Sequence, residues 1–465
     1  MLTDGISFFV VLGLACAFAT WFARRHGQQT ALGAAMSVSL LAGTWFEIGI
    51  LGTAINVPIA TALIWLIIYC THSGREIFSH LNVTDYLLGA LMAWQIVVDT
   101  YHSGQPFGWI AIAYGRWMLP YAVGRYAFLS NGTLQKVSPL FAVVGGLIGL
   151  AAMVEAFSGV NLWRYLFCEI DDEVALPVYT RFGLTRAHGP LRHPIFLGVV
   201  LLTLIPFAIE WMTRSGITRA RRILGAMSLA AIVLGIGATI SRGPMLCVPL
   251  IALIVLAWHS RIARWTLAGA TVVIGLVTVF DSDGMLTALE SATNRQQRSR
   301  IIVLGDSDEA EVYSGTRNRL LAPRIYGPIF WRGGPLGYGT EASDGFPPLK
   351  LPGIPRDPEL LKRVSIIDNS YLNIGLAFGW IGAGLFIGML LSAIYLDVTQ
   401  VPVAETHFYP TASVYFVTRA AVLLAAMAQL CLVYWDFDHG FWVMAFIGAS
   451  AGLVSRKERG LVGEG

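Results

Sequence analysis

Apolar runs close to twenty residues long, separated by short polar connections, recur along most of this chain. An α-helix needs about 20 residues to cross the hydrocarbon core of a bilayer. A hydropathy window therefore predicts helical spans near residues 4–23, 30–48, 54–70, 84–100, 108–128, 137–157, 193–212, 222–240, 243–259, 263–280, 372–396, 411–434 and 438–454. The second and third are weakly separated and the fifth carries Arg116, so about twelve or thirteen spans are expected. The ten-residue alternation of a membrane β-barrel does not appear. The first run has no basic stretch before it and no small-residue cleavage site after it, so it reads as a retained span.

One stretch breaks the pattern. Residues 281–370 hold 23 of the chain's 61 charged residues, the run Gly333–Gly339 and a proline-rich patch at 347–358. Within it, 317–329 is expected to form a short helix, 333–339 a turn, and 360–366 an amphipathic turn before the next span. The prolines keep 347–358 irregular, because each lacks a donor and disfavours helix in the residue before it. The chain thus divides into N-terminal helices (1–136), a central region with the loop (137–395), and C-terminal helices with a tail (396–465).

Composition agrees with a polytopic all-α membrane protein. Hydrophobic residues make up 55% and charged ones 13% of the 465 residues, and mean hydropathy is +0.63. Soluble domains carry about twice that share of charge. A net charge of only +3 gives no electrostatic footprint for nucleic acid. The five cysteines are scattered, with no metal-binding or paired spacing.

Charge also suggests orientation. Basic clusters at 24–26, 214–222, 261–264 and 456–459 all fall on one face when spans are counted between them, which marks that face as cytoplasmic. An odd span count then puts the N-terminus outside. The opposite face receives residues 158–192, the turn at 241–243, the long loop and the turn at 435–440.

Four groups on that opposite face carry candidate chemistry. Arg181, Arg186 and Arg192 cluster with His188 and His193 just before a span. Guanidinium forks match phosphate oxygens, so an anionic partner is one reading; structural pairing with Asp171, Asp172 and Glu173 is the other. The histidines lack metal-ligand company, and a hydrogen-bonded structural role fits each. Ser241-Arg242-Gly243 places an arginine at the membrane boundary, where it is either part of a site or a cation at a helix C-terminus. Asp368 and Asn369 precede an apolar helix beginning near Tyr371, as a helix cap or as a carboxylate able to take a hydroxyl proton. The loop adds Arg317, Arg319, Arg324 and Arg332, glycines that permit close backbone approach, and aromatics suited to stacking on sugars. Trp435, Asp436, Asp438 and His439 read as interfacial anchors, or as supports behind the site.

The spacings Arg186-x-x-Gly189-x-x-x-His193-Pro194, Thr239-x-Ser241-Arg242-Gly243, Gly337-x-Gly339 and Asp368-Asn369-x-Tyr371-Leu372 with Gly379-x-x-Gly382 resemble the O-antigen ligase and polymerase family over about residues 137–395. The resemblance implies a glycosyltransferase C-like fold in a bacterial inner membrane, with the active site facing the periplasm. It implies transfer of glycan from an undecaprenyl-diphosphate-linked donor to a glycan or lipid acceptor, without metal or other cofactor. Arg186 and Arg242 are implied to hold the diphosphate and Asp368 to act as base. Gly189, Arg181, Arg192, His193, Ser241, Arg317, Arg324, Asn369 and Tyr371 fall among the expected substrate-binding positions. Family ligases carry histidine where this chain has Asp368, and the Asp-Asn-x-Tyr form looks more like the polymerases of exopolysaccharide, capsule or O-antigen repeat units. Membrane lipids and a chain-length regulator or flippase are the further partners implied. A ligase, or a transporter or flippase of lipid-linked glycan, are the alternatives. The transporter reading expects charges deep within spans, and only Glu47, Glu210 and Arg116 stand out, mostly near predicted ends.

Overall fold

In a computed structural model the apolar runs coincide with helices, and almost no sheet is present. The structure describes residues 2–50, 53–73, 81–104, 106–129, 132–163, 180–280, 300–303, 310–313, 318–343, 367–407 and 412–460. The helices are α1 (Leu2–His26), α2 (Ala31–Ala42), α3 (Val57–Ser73), α4 (Val83–Ser103), α5 (Pro106–Ala113), α6 (Leu119–Ala127), α7 (Thr133–Ser158), α8 (Pro194–Thr213), α9 (Arg219–Ala238), α10 (Arg242–His259), α11 (Arg261–Phe280), α12 (Asn318–Gly333), α13 (Thr340–Ser343), α14 (Ser370–His407), α15 (Ala412–Leu430) and α16 (Phe437–Gly460). Among the described residues, seven helices are long and apolar enough to cross a membrane: α1, α7, α8, α9, α10, α14 and α15. The chain is thus a multi-pass helical membrane protein.

Helix α8 is the most enclosed of the seven. It packs against α7, α9, α15 and α16, while α14 lies between α4 and α15. The core is built of aliphatic and aromatic side chains such as Leu201, Phe207, Phe386 and Trp442. Without water to drive helices together inside a bilayer, close contact and buried polar bonds hold them.

Among the described residues, three antiparallel hairpins interrupt the helices. The second predicted span, 30–48, ends early: α2 stops at Ala42, and Glu47–Ile50 (β1) pairs with Thr53–Asn56 (β2). The β-branched residues at 48, 50, 53 and 55 favour strand over helix there. At about 18 Å, a twelve-residue α2 is too short to span. Thr180–Arg181 (β3) pairs with Leu184–Thr185 (β4), and Arg300–Val303 (β5) with Ala310–Tyr313 (β6). In the loop, α12 realises the expected short helix and the glycine run makes the expected turn. The proline patch and 360–366 lie outside the described residues.

Buried ion pairs add to the few charges expected within spans. Arg125 pairs with Asp85 at 2.8 Å, and Tyr121 donates to the same carboxylate at 2.8 Å. Arg419, in α15, is fully buried against the fully buried Asp397 of α14 at 3.1 Å. Its guanidinium also donates to Tyr415 Oη, Ser450 Oγ and the Phe446 carbonyl, so α14, α15 and α16 share one polar knot. Asp397 falls just past the predicted span 372–396. Paired with Arg419, it lies inside α14, which runs on to His407. Arg116 is also well within its helical run, in the π-helical turn Tyr114–Met118, with its guanidinium over the rings of Trp117 and Phe378.

Candidate functional site

The hairpin β3–β4 brings the first arginines to their place. Its two-residue turn has positive φ at both Phe182 and Gly183, the geometry that matches the twist of paired strands. Arg181 ends β3 and Arg186 directly follows β4. Arg181 Nη1 donates to the Ile240 carbonyl at 3.0 Å. Arg186 Nε donates to the Thr239 carbonyl at 3.3 Å and its Nη2 to Ser241 Oγ at 2.9 Å. Residues 239–241 link α9 to α10, so two motifs far apart in sequence are stitched into one element. Both guanidiniums are partly exposed.

Arg242 is the first residue of α10, with Ser241 as its N-cap. This corrects the reading of Arg242 as a cation at a helix C-terminus. The Ser241 hydroxyl does not cap, because it donates to the Thr239 carbonyl at 3.1 Å and accepts from Arg186. The start of α10 thus combines helix N–H groups that have no side-chain cap with arginine side chains. Both features favour an anion.

The third motif arrives from the other side. Gly243 lies directly against the Gln429 side chain near the end of α15, and a Cβ on Gly243 would fall 1.9 Å from Gln429 Oε1. Two residues earlier, the Met427 carbonyl accepts from Tyr371 Oη at 2.9 Å. Ser370 Oγ donates to the Val433 carbonyl at 2.7 Å. The segment 367–371 and residues 241–243 therefore flank the same end of α15. Asn369, not Asp368, makes the cap: its Oδ1 accepts from Leu372 N at 3.0 Å. Beside Asp368, burial first and then the negative Asp436, Asp438 and Asp368 raise the Tyr434 phenol well above its ordinary value.

Other expected site residues have structural work. Arg192 pairs with Glu47, and its backbone N–H donates to Asp438 Oδ2 at 3.1 Å. Asp171, Asp172 and Glu173, the partners expected for the arginine cluster, lie outside the described residues. His193 caps α8, its Nδ1 accepting from Ile195 N at 3.2 Å. Gly189 N donates to the buried Glu155 at 2.9 Å, and the Gly189 carbonyl accepts from Trp45 Nε1 at 3.1 Å. His188 sits 3.4 Å from the same Glu155. Arg317 and the side chain of Arg324 lie outside the described residues.

The cluster at 435–439 is not an exposed interfacial anchor. Trp435 is buried and stacks on Trp117 with ring centroids 5.4 Å apart. Asp436 Oδ1 accepts from Asp438 N at 2.9 Å and starts α16. His439 is fully enclosed and stacks on Phe196 at 4.6 Å.

Sequence reasoning missed Gln429, Tyr434 and Glu155. Glu155 sits in an apolar run whose periodicity marks only a buried face. Gln429 carries no local signal, because its importance comes from the close approach that Gly243 allows. Among the described residues, no group of three or more His, Cys, Asp or Glu side chains is placed to hold a metal ion. No protein-family model matches this chain, and no curated protein matches it.

Proposed function

We propose that this protein is a membrane glycosyltransferase that polymerises undecaprenyl-diphosphate-linked oligosaccharide repeat units at the periplasmic face of a bacterial inner membrane. One observation carries the reading. Arg181 and Arg186 are bonded to the turn that starts α10, beside Arg242, and the segment bearing Asp368 docks on the same end of α15.

The chemistry follows from that grouping. Transfer breaks the bond between the sugar anomeric carbon and a diphosphate oxygen, and undecaprenyl diphosphate leaves. Arg186, Arg242 and the N–H groups opening α10 stabilise the charge that develops on it. Asp368 takes the proton from the attacking hydroxyl of the acceptor glycan. In-line attack inverts the anomeric centre. The helices hold the polyprenyl tail, and the aspartate at 368, where ligases of the resembled family carry histidine, favours a polymerase over a ligase.

The test is product formation in membranes. Arg186→Ala and Arg242→Ala are each expected to abolish polymer, a loss of at least about 100-fold, while inserted protein stays at the unsubstituted level. Normal polymer from both variants overturns the diphosphate clamp.

A further inference from the structure

Helix α14 is broken. Gly379 has φ 67° and ψ −168°, so residues 370–378 form a separate front piece, with Asp368 and Asn369 at its start. A continuous helix would bond Trp380 N to the Leu376 carbonyl. Here Trp380 N donates instead to the Gly334 carbonyl at 3.1 Å. The carbonyls left over are taken by other elements. Leu376 accepts from Tyr338 N and Ala377 from Gly339 N, both at 2.8 Å, and Phe378 accepts from Trp94 Nε1 at 2.8 Å. A strap from the long loop, residues 334–339, is thus inserted into the break. Backbone meets backbone there: a Cβ on Gly337 would lie 2.4 Å from Gly379 N, and one on Gly379 2.1 Å from the Pro335 carbonyl oxygen.

The strap is latched from α4. Asp99, buried to 1% exposure, accepts from Thr340 N at 2.7 Å through Oδ1. Its Oδ2 accepts from Thr340 Oγ1 at 2.9 Å and from Gln95 Nε2 at 3.1 Å. Gln95 Oε1 in turn accepts from Trp117 Nε1 at 2.6 Å, and Trp117 stacks on Trp435. His102 Nε2 bonds the Gly337 carbonyl at 3.2 Å. A carboxylate at this depth is retained only where its oxygens are satisfied, and three donors from two elements satisfy Asp99.

We infer that Asp99 is a positioning residue: through Thr340 and the glycine strap it fixes the front piece of α14, and with it the carboxylate of Asp368. This rests on the proposed role of Asp368. The loop is then the scaffold that aims the base, and α4 joins the site although it lies outside the region whose motifs resemble a known family. Asp99 touches no reacting atom. Its loss displaces the base, and a misplacement near 1 Å costs about 100-fold in rate.

The experiment measures kcat and donor KM for polymerisation by the purified full chain with an undecaprenyl-diphosphate-linked oligosaccharide. Asp99→Ala is expected to lower kcat about 100-fold with donor KM unchanged, because the arginine clamp is untouched. Thr340→Val removes one of the latch bonds and serves if Asp99→Ala does not fold. It is expected to lower kcat about 10-fold, and Thr340→Ser, which keeps the hydroxyl, to restore it. Unchanged kcat in Asp99→Ala or Thr340→Val, with Arg186→Ala inactive, overturns the positioning role and leaves the glycosyltransferase reading standing. No polymerisation by the unsubstituted protein overturns that reading as well.

Discussion

Replacing Arg419 with alanine is expected to destabilise the folded bundle by about 3–5 kcal/mol, because it strands the buried carboxylate of Asp397. Both side chains have no solvent exposure. In the intact protein the charge of Asp397 is balanced by the guanidinium Nε at 3.1 and 3.3 Å and by the Ser450 hydroxyl at 3.0 Å. Removing the arginine takes away the charge partner while leaving only the hydroxyl. It also frees the Phe446 carbonyl and the Tyr415 hydroxyl from their donor. Thermal unfolding of detergent-solubilised protein reads the effect. Replacing both members of the pair with leucine is expected to recover much of the loss, since apolar residues often substitute for a buried pair at little cost. A single variant as stable as the unsubstituted protein would contradict the knot as a helix lock.

The second large effect falls on chemistry. Asp368→Asn is expected to lower turnover about 10²–10⁴-fold, the usual contribution of a positioned general base. The neighbouring Asn369 makes the helix cap, so the helix start survives this substitution. Asn369→Ala is the contrasting variant: it removes the cap, a loss of about 1 kcal/mol of stability. Near-full activity in Asp368→Asn would remove the proton-accepting role.

The helices were legible because a bilayer imposes length and apolarity on each run independently of its neighbours. The arginine motifs were legible for a related reason: a guanidinium at a membrane boundary is conspicuous against apolar sequence. What stayed hidden depends on pairs. Asp397 falls just past the predicted span 372–396 and Arg419 within the span 411–434, and nothing in the sequence marks that they neutralise one another. Arg192 and His193 look like ligand-binding residues, and the structure gives them Glu47 and the start of α8 as partners. The break at Gly379 was invisible because glycine is common in membrane helices. Only the strap's amides, arriving some forty residues earlier in the chain, explain why the helix stops there. Counting spans put 186, 242 and 368 on one face, but not at one end of α15. The contacts that bring them there, through Ile240, Gln429 and Met427, were not legible.

The central claim is that one site at this end of the bundle releases a polyprenyl diphosphate as it joins glycans. The most direct measurement is the release of undecaprenyl diphosphate by the purified protein given a lipid-linked repeat unit in the presence of a chelator. One equivalent is expected per glycosidic bond formed, with release lost in both Arg186→Ala and Arg242→Ala. Glycan found moved across a vesicle membrane with no diphosphate released, or release undiminished in both variants, would contradict the account.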